Sequence, residues 1–350
     1  MADLASSKQF PALSINYSKK DLDSCRHIPP KMQLHLYGTE GVGKNRSYAK
    51  ELFSTNYEKT ITFIKQHLEQ PSIDIIFVIY STAGGTGSGI APMIIDLINM
   101  EMTDKAIVAC PILPDLEECL TSQLNALDCL HETLKVKGAS YLFIDNQSIS
   151  SKHLHKTDKY KQINSKVLNQ LIFLLECTSK ESLISNLDRK DLKALFSTDG
   201  VVNIGDLHLT NPKELTMEWI KEGMIKSLKT SLFSADYGNN LSKIGMVVNG
   251  NADLFKKTDL MEFVASFKYK PTDIFEGYYE GKCQRIAMIL TGLSPELLRV
   301  AQIKEVVESQ QITTVDDNLN YERLFSIENR PTAPSKPKKV SPLEILSKYS

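Results

Sequence analysis

The chain has six cysteines but no C-x-x-C pair, which removes the commonest sequence sign of a zinc site or a thiol–disulfide motif. Cys25, Cys110, Cys119, Cys129, Cys177 and Cys283 lie mostly in apolar runs and read as buried, reduced thiols of a cytosolic protein. No apolar run reaches membrane-spanning length. The first residues, MADLASSKQF, lack the apolar centre of a secretory signal, so a cytoplasmic location without a membrane partner is expected. Charge of either sign is not in excess: 41 Lys and Arg face 42 Asp and Glu, a formal net charge of −1. No global field therefore draws the chain to nucleic acid, and any work on DNA runs through a local patch or a partner. Internal repeats are absent.

What is present is ordinary globular composition, with 42% apolar and 24% charged residues, and 350 residues suffice for two domains with real cores. ALSINYS (12–18), MQLHLY, SIDIIFVIYS (72–81), KAIVACPIL and ASYLFIDN read as strands, the last three apolar enough for burial on both faces. Helical patterns cover Ser47–Leu68, Ala91–Asn99 and Glu117–Leu134. The alternation predicts a parallel-sheet, Rossmann-like α/β domain over residues 1–160. INSKVLNQLIFLLECT (163–178) is apolar around most of its circumference and reads as a central connecting helix, assigned to 161–178. DGVVNIGDLHL, KIGMVVNGN, DIFEGYY and CQRIAMILTGL read as further strands, with helices at Lys213–Phe233, Asp259–Phe267 and Ser294–Glu308; together they predict a smaller α+β domain over 179–309. Residues 310–350 form a polar tail in which NRPTAPSKPKKVSP has the composition of an unstructured linker. SPLEILSKYS reads either as a short docking helix or as a frayed end.

Two glycine-bearing segments carry the chemistry. In YGTEGVGKNRSYAKELF, Gly38 to Lys44 fits the phosphate-loop pattern G-x-x-x-x-G-K-[ST], but Asn45 stands where a hydroxyl should hold magnesium. The second segment, TAGGTGSGIAPMIIDLI, follows the strand at 72–81 directly. Gly84, Gly85, Gly87 and Gly89 let backbone N–H groups converge without a Cβ in the way, and Thr86 and Ser88 add hydroxyls. The helix that follows presents its positive end to the same point. Such a concavity binds phosphates; the plain alternative is a tight turn.

AGGTGSGIAP resembles the tubulin/FtsZ signature G-G-G-T-G-[ST]-G, with Ala83 in place of the first glycine and the Ala-Pro that follows in FtsZ. ALSINYSKKDL resembles the family's A-x-N-T-D-x-x-x-L, and GTEGVGKN its R-G-L-G-A-G-x-N loop. The resemblance implies a GTP/GDP site. Gly84, Gly85, Thr86, Gly87 and Ser88 would hold phosphates, and Gly41, Val42, Gly43, Lys44 and Asn45 would line the γ-phosphate side. In CPILPDLEE, Glu117 (or its neighbour Glu118) would accept from the ribose, although the usual arginine has no match before Ala126. FIDNQS nominates Asn146, and the central helix Asn164 at its opening, as guanine readers; either Asn alone is more often a cap or turn residue. Mg2+ is expected on the nucleotide, held mostly by phosphate oxygens and water.

ISNLDRKDLKALF resembles the family's catalytic N-x-D-x-x-D-[VL], which Asn186, Asp188 and Asp191 match. The two acids share one face of a helix start, where carboxylates also serve as plain caps. Asp206 in NIGDLHL is another acid, ranked lower because its segment alternates like a strand. The resemblance implies that the acidic loop enters the next subunit's nucleotide site, so that copies stack head to tail into a filament. The family's opening strand and its G-x-G-G-x-x-N loop have no counterpart, and Met1–Phe10 looks like the end of the helix that follows them. A start farther upstream, a gap beside a central strand and weak GTP binding are therefore expected.

Within the superfamily, LSINYSKKDLDS and the basic tail resemble the TubZ branch. That implies filaments which move plasmid or phage DNA, reaching it only indirectly, through a DNA-binding adaptor on the C-terminal tail near Lys336, Lys338 and Lys339. Three alternatives stay open: an FtsZ-like division protein, a P-loop NTPase using Gly38–Lys44, and a nucleotide-binding structural protein that does not hydrolyse.

Overall fold

The near-continuous apolar runs become strands of one sheet, and the amphipathic stretches between them its covering helices. The computed structural model describes residues 1–149, 155–182, 184–209, 216–235, 241–268, 270–295, 298–311 and 342–348. In chain order the first half holds α1 (Ala2–Ser7), β1 (Ser14–Asn16), α2 (Lys19–Asp23), β2 (Gln33–His35), α3 (Arg46–Phe53), α4 (Tyr57–Leu68), β3 (Ile75–Ser81), α5 (Thr86–Glu101), β4 (Ala106–Leu113), α6 (Leu120–Thr133), β5 (Ser140–Tyr141) and β6 (Ile144–Asp145). Then come α7 (Lys156–Cys177), α8 (Arg189–Phe196), β7 (Gly200–Leu209), α9 (Met217–Lys229), β8 (Lys243–Gly250), α10 (Ala252–Lys257), α11 (Leu260–Val264), β9 (Asp273–Glu280), β10 (Gln284–Leu293), α12 (Leu298–Gln311) and α13 (Pro342–Ser347).

One sheet runs through both halves in the order β3-β4-β5-β7-β10-β8-β9, with β6 also on β4. The pairs β3–β4, β4–β5 and β5–β7 are parallel, whereas β10 is antiparallel to both β7 and β8. This is the expected α/β architecture with a mixed second half. β4 is buried along almost its whole length, and α5 is buried nearly all round, as a helix packed between a sheet and other helices must be.

β1 and β2 form a separate two-stranded parallel sheet. Between β1 and the edge of β3 lies a cavity of about 760 Å3, lined by Leu13, Ile15, the length of β3, Ile94 and Leu171.

Several boundaries differ from expectation. The single helix expected over Ser47–Leu68 is broken before Tyr57. There Asn56, 3% exposed, accepts from Tyr37 N and donates to the carbonyls of Tyr37 and Leu52, which offsets the break. α7 begins at Lys156, not at 161, behind the His155 ring that caps Thr157 N. Its first turns are exposed and polar, so no apolar period announces them, and Asn164 lies inside the helix instead of opening it. α10, capped by Asn251, was not expected. Cys110, Cys129 and Cys177 are buried thiols, but Cys119 and Cys283 are exposed. The terminal segment docks: Ile345 is 2% exposed and Lys348 pairs with Asp96 of α5 at 3.3 Å. The linker reading of NRPTAPSKPKKVSP, with Lys336, Lys338 and Lys339, lies outside the described residues. Among the described residues no helix is long and apolar enough to cross a membrane.

Candidate functional site

β3 ends at Ser81, and the chain turns through Thr82–Gly85 into α5, whose N-cap, Gly85, contributes no side-chain cap. The first N–H groups of a helix lack partners within it, so the positive end of α5 is presented at this turn. A Cβ added at Gly84 would meet nothing within 4 Å. At Gly85 it would lie 2.5 Å from Val42 Cγ2 and 3.0 Å from Lys44 Cα, so only glycine lets the two glycine loops close on each other. The buried Ser88 hydroxyl donates to the carbonyl of Gly84 and, at 3.4 Å, to that of Gly85. It braces the turn from inside. Thr86 and Gly87 are half-buried on the first turn of α5.

The Gly41–Asn45 loop lies against this turn. Gly41, Gly43 and Lys44 have φ of 127°, 54° and 64°, and for lysine that is a left-handed conformation that needs support. Support comes from α6. Lys44 Nζ donates to Ser122 Oγ at 2.8 Å and reaches Cys119 Sγ at 3.3 Å. Asn125 Nδ2 donates to the carbonyls of Lys44 (2.9 Å) and Gly84 (3.2 Å), joining both glycine loops through one side chain. Asn45 caps α3 by accepting from Tyr48 N at 3.0 Å, which explains an amide side chain where a phosphate loop would carry a hydroxyl. Beneath the loop the buried Arg46 donates to the carbonyl of Ser88 at 3.0 Å and to Glu132 at 2.6 Å. Cys119 is the N-cap of α6. Hydrogen bonds from the Ser122 hydroxyl and amide, and from Lys44, bring its thiol down to about 7.

Beside these loops the ends of β4 and β6 meet the start of α7. Glu118 accepts from Tyr160 Oη at 2.9 Å and faces Lys156 at 3.5 Å. Glu117 is exposed, and its side chain makes no bond among the described residues. Asp115 pairs with Lys159 at 2.7 Å. Asn146 is 8% exposed beside Asp145, whose carboxylate accepts from Arg299 Nε at 3.0 and 3.1 Å. Asn164 lies one helical turn after Tyr160, on the same side of α7.

The acidic loop is elsewhere. Asp188 is the N-cap of α8, and its Oδ1 accepts from Lys190 N (2.7 Å) and Asp191 N (2.9 Å). Asp191 Oδ2 accepts in return from Asp188 N at 3.0 Å, completing a capping box. Asn186 and Asp188 are exposed and Asp191 is half-buried. Arg189 fastens this loop to Ser72 O and Asp74, and Lys193 bonds Asp104 O at 2.6 Å, all just before β3 and β4 begin. The glycine turn follows the far end of β3. That strand has seven residues, which at about 3.3 Å each sets the two groups roughly 23 Å apart.

The glycine loops, Glu118, Asn146 and Asn164 thus gather at one pole of the sheet, and Asn186, Asp188 and Asp191 at the other. Asp206, the lower-ranked acid, is a half-buried residue whose carboxylate pairs with Arg285 at 2.7 Å. Asn125, Tyr160 and Arg299 escaped the sequence reading. Tyr160 alone had a local signal, an aromatic one turn before a nominated Asn.

Residues 4–152 match the Tubulin/FtsZ family, GTPase domain. The Tubulin-like protein TubZ of Clostridium botulinum C phage is 26% identical over 346 residues, covering 95% of this chain and 87% of that protein. The Tubulin-like protein CetZ of Methanothrix thermoacetophila is also 26% identical, over 314 residues covering 87% and 80%. A GTPγS-form protofilament structure of Bacillus thuringiensis serovar israelensis TubZ superposes with a TM-score of 0.74 at 17% identity, covering 89% of this chain and 90% of that one.

Proposed function

From the match of residues 4–152 to the tubulin/FtsZ GTPase domain and the two relatives aligned over most of the chain, we propose that this chain is a tubulin/FtsZ-family, GTP-hydrolysing filament subunit whose active site is completed only when one copy stacks head to tail on another. One observation carries this reading: the phosphate-type loops and the acidic pair sit at opposite poles, about a strand length apart, so one copy cannot bring them together. Two unlike poles that meet leave free ends, which is how a filament grows. The Bacillus thuringiensis TubZ structure that shares this fold is itself a protofilament.

The residues present suit a nucleotide's phosphates. Gly43 and Gly84 leave open backbone beside the N-terminus of α5, and Lys44 brings a cation to the same place. Gly85, Thr86 and Gly87 would contribute amides on one side, and Gly41, Val42 and Asn45 backbone on the other. Asn146 and Asn164 would read guanine, with the Tyr160 ring beside them and Glu117 or Glu118 at the ribose. Among the described residues no cluster of acidic, His or Cys side chains is assembled for a metal, so magnesium would rest on phosphate oxygens and water. From the partner, Asp188 and Asp191 keep one oxygen each outside the capping box to orient a water, and Asn186 stands next to them.

The test compares phosphate release with sedimentation at rising protein concentration. Hydrolysis should begin only where polymer begins. Asp191→Ala should keep filaments and lose about 100-fold or more in turnover; hydrolysis at full rate by dilute monomer would overturn the reading. We assign the filament's cargo as DNA held through an adaptor on the tail, because a chain with net charge −1 has little to grip DNA directly. Purified filaments should leave plasmid DNA in the supernatant, and direct co-sedimentation would refute the adaptor.

A further inference from the structure

We propose that Tyr279 is a positioning residue that holds the acidic loop in register for hydrolysis through the backbone of Leu187. This rests on the head-to-tail GTPase reading and names a residue that acts on the same site from behind.

Among the described residues β9 is the last strand of the sheet, and a bare last strand leaves a row of unpaired backbone groups. Here the segment before α8 covers part of that edge. Tyr278 N donates to the carbonyl of Ser185 at 3.0 Å, and Ser185 Oγ donates to the carbonyl of Glu276 at 2.9 Å. Two residues on, the Tyr279 hydroxyl takes both polar groups of Leu187: it accepts from Leu187 N at 2.9 Å and donates to Leu187 O at 3.2 Å. Tyr279 is 1% exposed and the Leu187 side chain is fully buried, so neither end of this contact can drift. Leu187 is thus fixed by side chain and backbone alike, and its two neighbours are Asn186 and Asp188.

Gly277 makes the same point independently. A Cβ there would fall 2.7 Å from Tyr279 Cε2 and Oη and 2.9 Å from Leu187 N. The approach of the loop to β9 therefore demands glycine at 277 as well as a hydroxyl at 279. The phenol is near enough to both carboxylates to be influenced by them: burial raises its pKa first, and Asp191 and Asp188 push the same way.

Positioning matters because phosphoryl transfer asks the protein mainly for geometry, and a displacement of 1 Å can cost about 100-fold. Removing the hydroxyl with the ring kept should let Asn186 and Asp188 shift without emptying the core. For Tyr279→Phe we expect turnover per assembled subunit to fall about tenfold. GTP affinity of the unassembled chain and the protein concentration at which polymer appears should stay within about twofold of wild type. A part that merely stabilises the fold would move affinity and assembly as well, and would leave turnover per assembled subunit alone. Ser185→Ala, at a half-buried loop position, should lower the same quantity by a smaller factor and covers the case in which Tyr279→Phe folds poorly. Equal turnover per assembled subunit in wild type and in the folded variant overturns the proposal. If the wild-type filament itself releases no phosphate, this inference falls together with the GTPase reading, whereas normal wild-type turnover matched by both variants sinks this inference alone.

Discussion

Arg189 Nη2 lies 2.5 Å from Asp74 Oδ2, one residue before β3 begins, and so ties the acidic loop to the opposite end of the strand from the glycine turn. The distance follows from strand geometry, and loop motion of a few ångström cannot abolish it. Complementation in trans follows. Asp191→Asn keeps its glycine loops, and Gly85→Ala keeps its acidic pair. Neither alone should hydrolyse GTP, but a mixture should regain activity wherever the second variant's loop meets the first variant's pocket. A silent mixture that still co-sediments would count against a shared site.

Asn125 is the side chain whose removal most directly separates the two glycine loops. Its amide bonds the carbonyls of Lys44 and Gly84, and at 8% exposure little water is available to replace it. Asn125→Ala should lower stability by about 1–3 kcal/mol and weaken GTP binding more than tenfold. Isothermal titration with chemical denaturation checks both, and unchanged affinity with lowered stability would confine Asn125 to a structural role.

The two glycine loops were legible because their geometry is written in residue type. A turn that presses on another backbone, as Gly85 does on Lys44, excludes every side chain. The capping box of Asp188 and Asp191 was legible for the same reason, being local in sequence. Asn125 was not, because its partners stand about 40 and 80 residues away and an amide inside a helix announces nothing. The start of α7 was missed because residues 156–162 are almost wholly polar, and a solvated helix shows no apolar period. Arg299, paired with Asp145 from 154 residues away, is likewise visible only in three dimensions.

Cys119 should be the most reactive thiol at neutral pH. The bonds from Ser122 and Lys44 favour the thiolate, so residue-resolved alkylation should rise with a midpoint near pH 7. Lys44→Ala should move that midpoint upward, and GTP should protect the thiol if Lys44 turns to the nucleotide. A midpoint near the ordinary value of about 8.5 would refute the contact.

Asp206 links pH to stability. Burial alone would raise its pKa, but the bonds from His208 and Arg285 and the guanidinium charge outweigh that and hold it at about 2. A depressed folded pKa contributes stability above the unfolded value of about 3.9, and this is lost as pH falls toward about 2. Asp206→Asn should therefore flatten that part of the acid-unfolding curve. Arg285 also lies over the Phe173 ring of α7 at 3.8 Å. Arg285→Ala strands the buried carboxylate and should cost about 3–5 kcal/mol at pH 7 in urea unfolding. Identical acid slopes for wild type and Asp206→Asn would remove the linkage.

The cavity between β1 and β3 bears on how strongly the chain holds a nucleotide. Both flanking strands are parallel to their partners, and among the described residues each is paired on one side only. The space is about 760 Å3, and α5 and α7 contribute apolar side chains to it. Backbone groups facing such a space cost about 1–3 kcal/mol each when they go unbonded. An extended apolar segment laid there parallel to β3 would bond both edges, and its C-terminal end would arrive beside Gly84 and Thr86. A chain extended ahead of Ala2 by an apolar strand of about six residues and a glycine-rich turn is expected to unfold at higher temperature and to bind GTP at least tenfold more tightly. Tight GTP binding by the unextended chain, unaltered by the extension, would show that the glycine loops at Gly41–Asn45 and Gly84–Gly87 suffice without it.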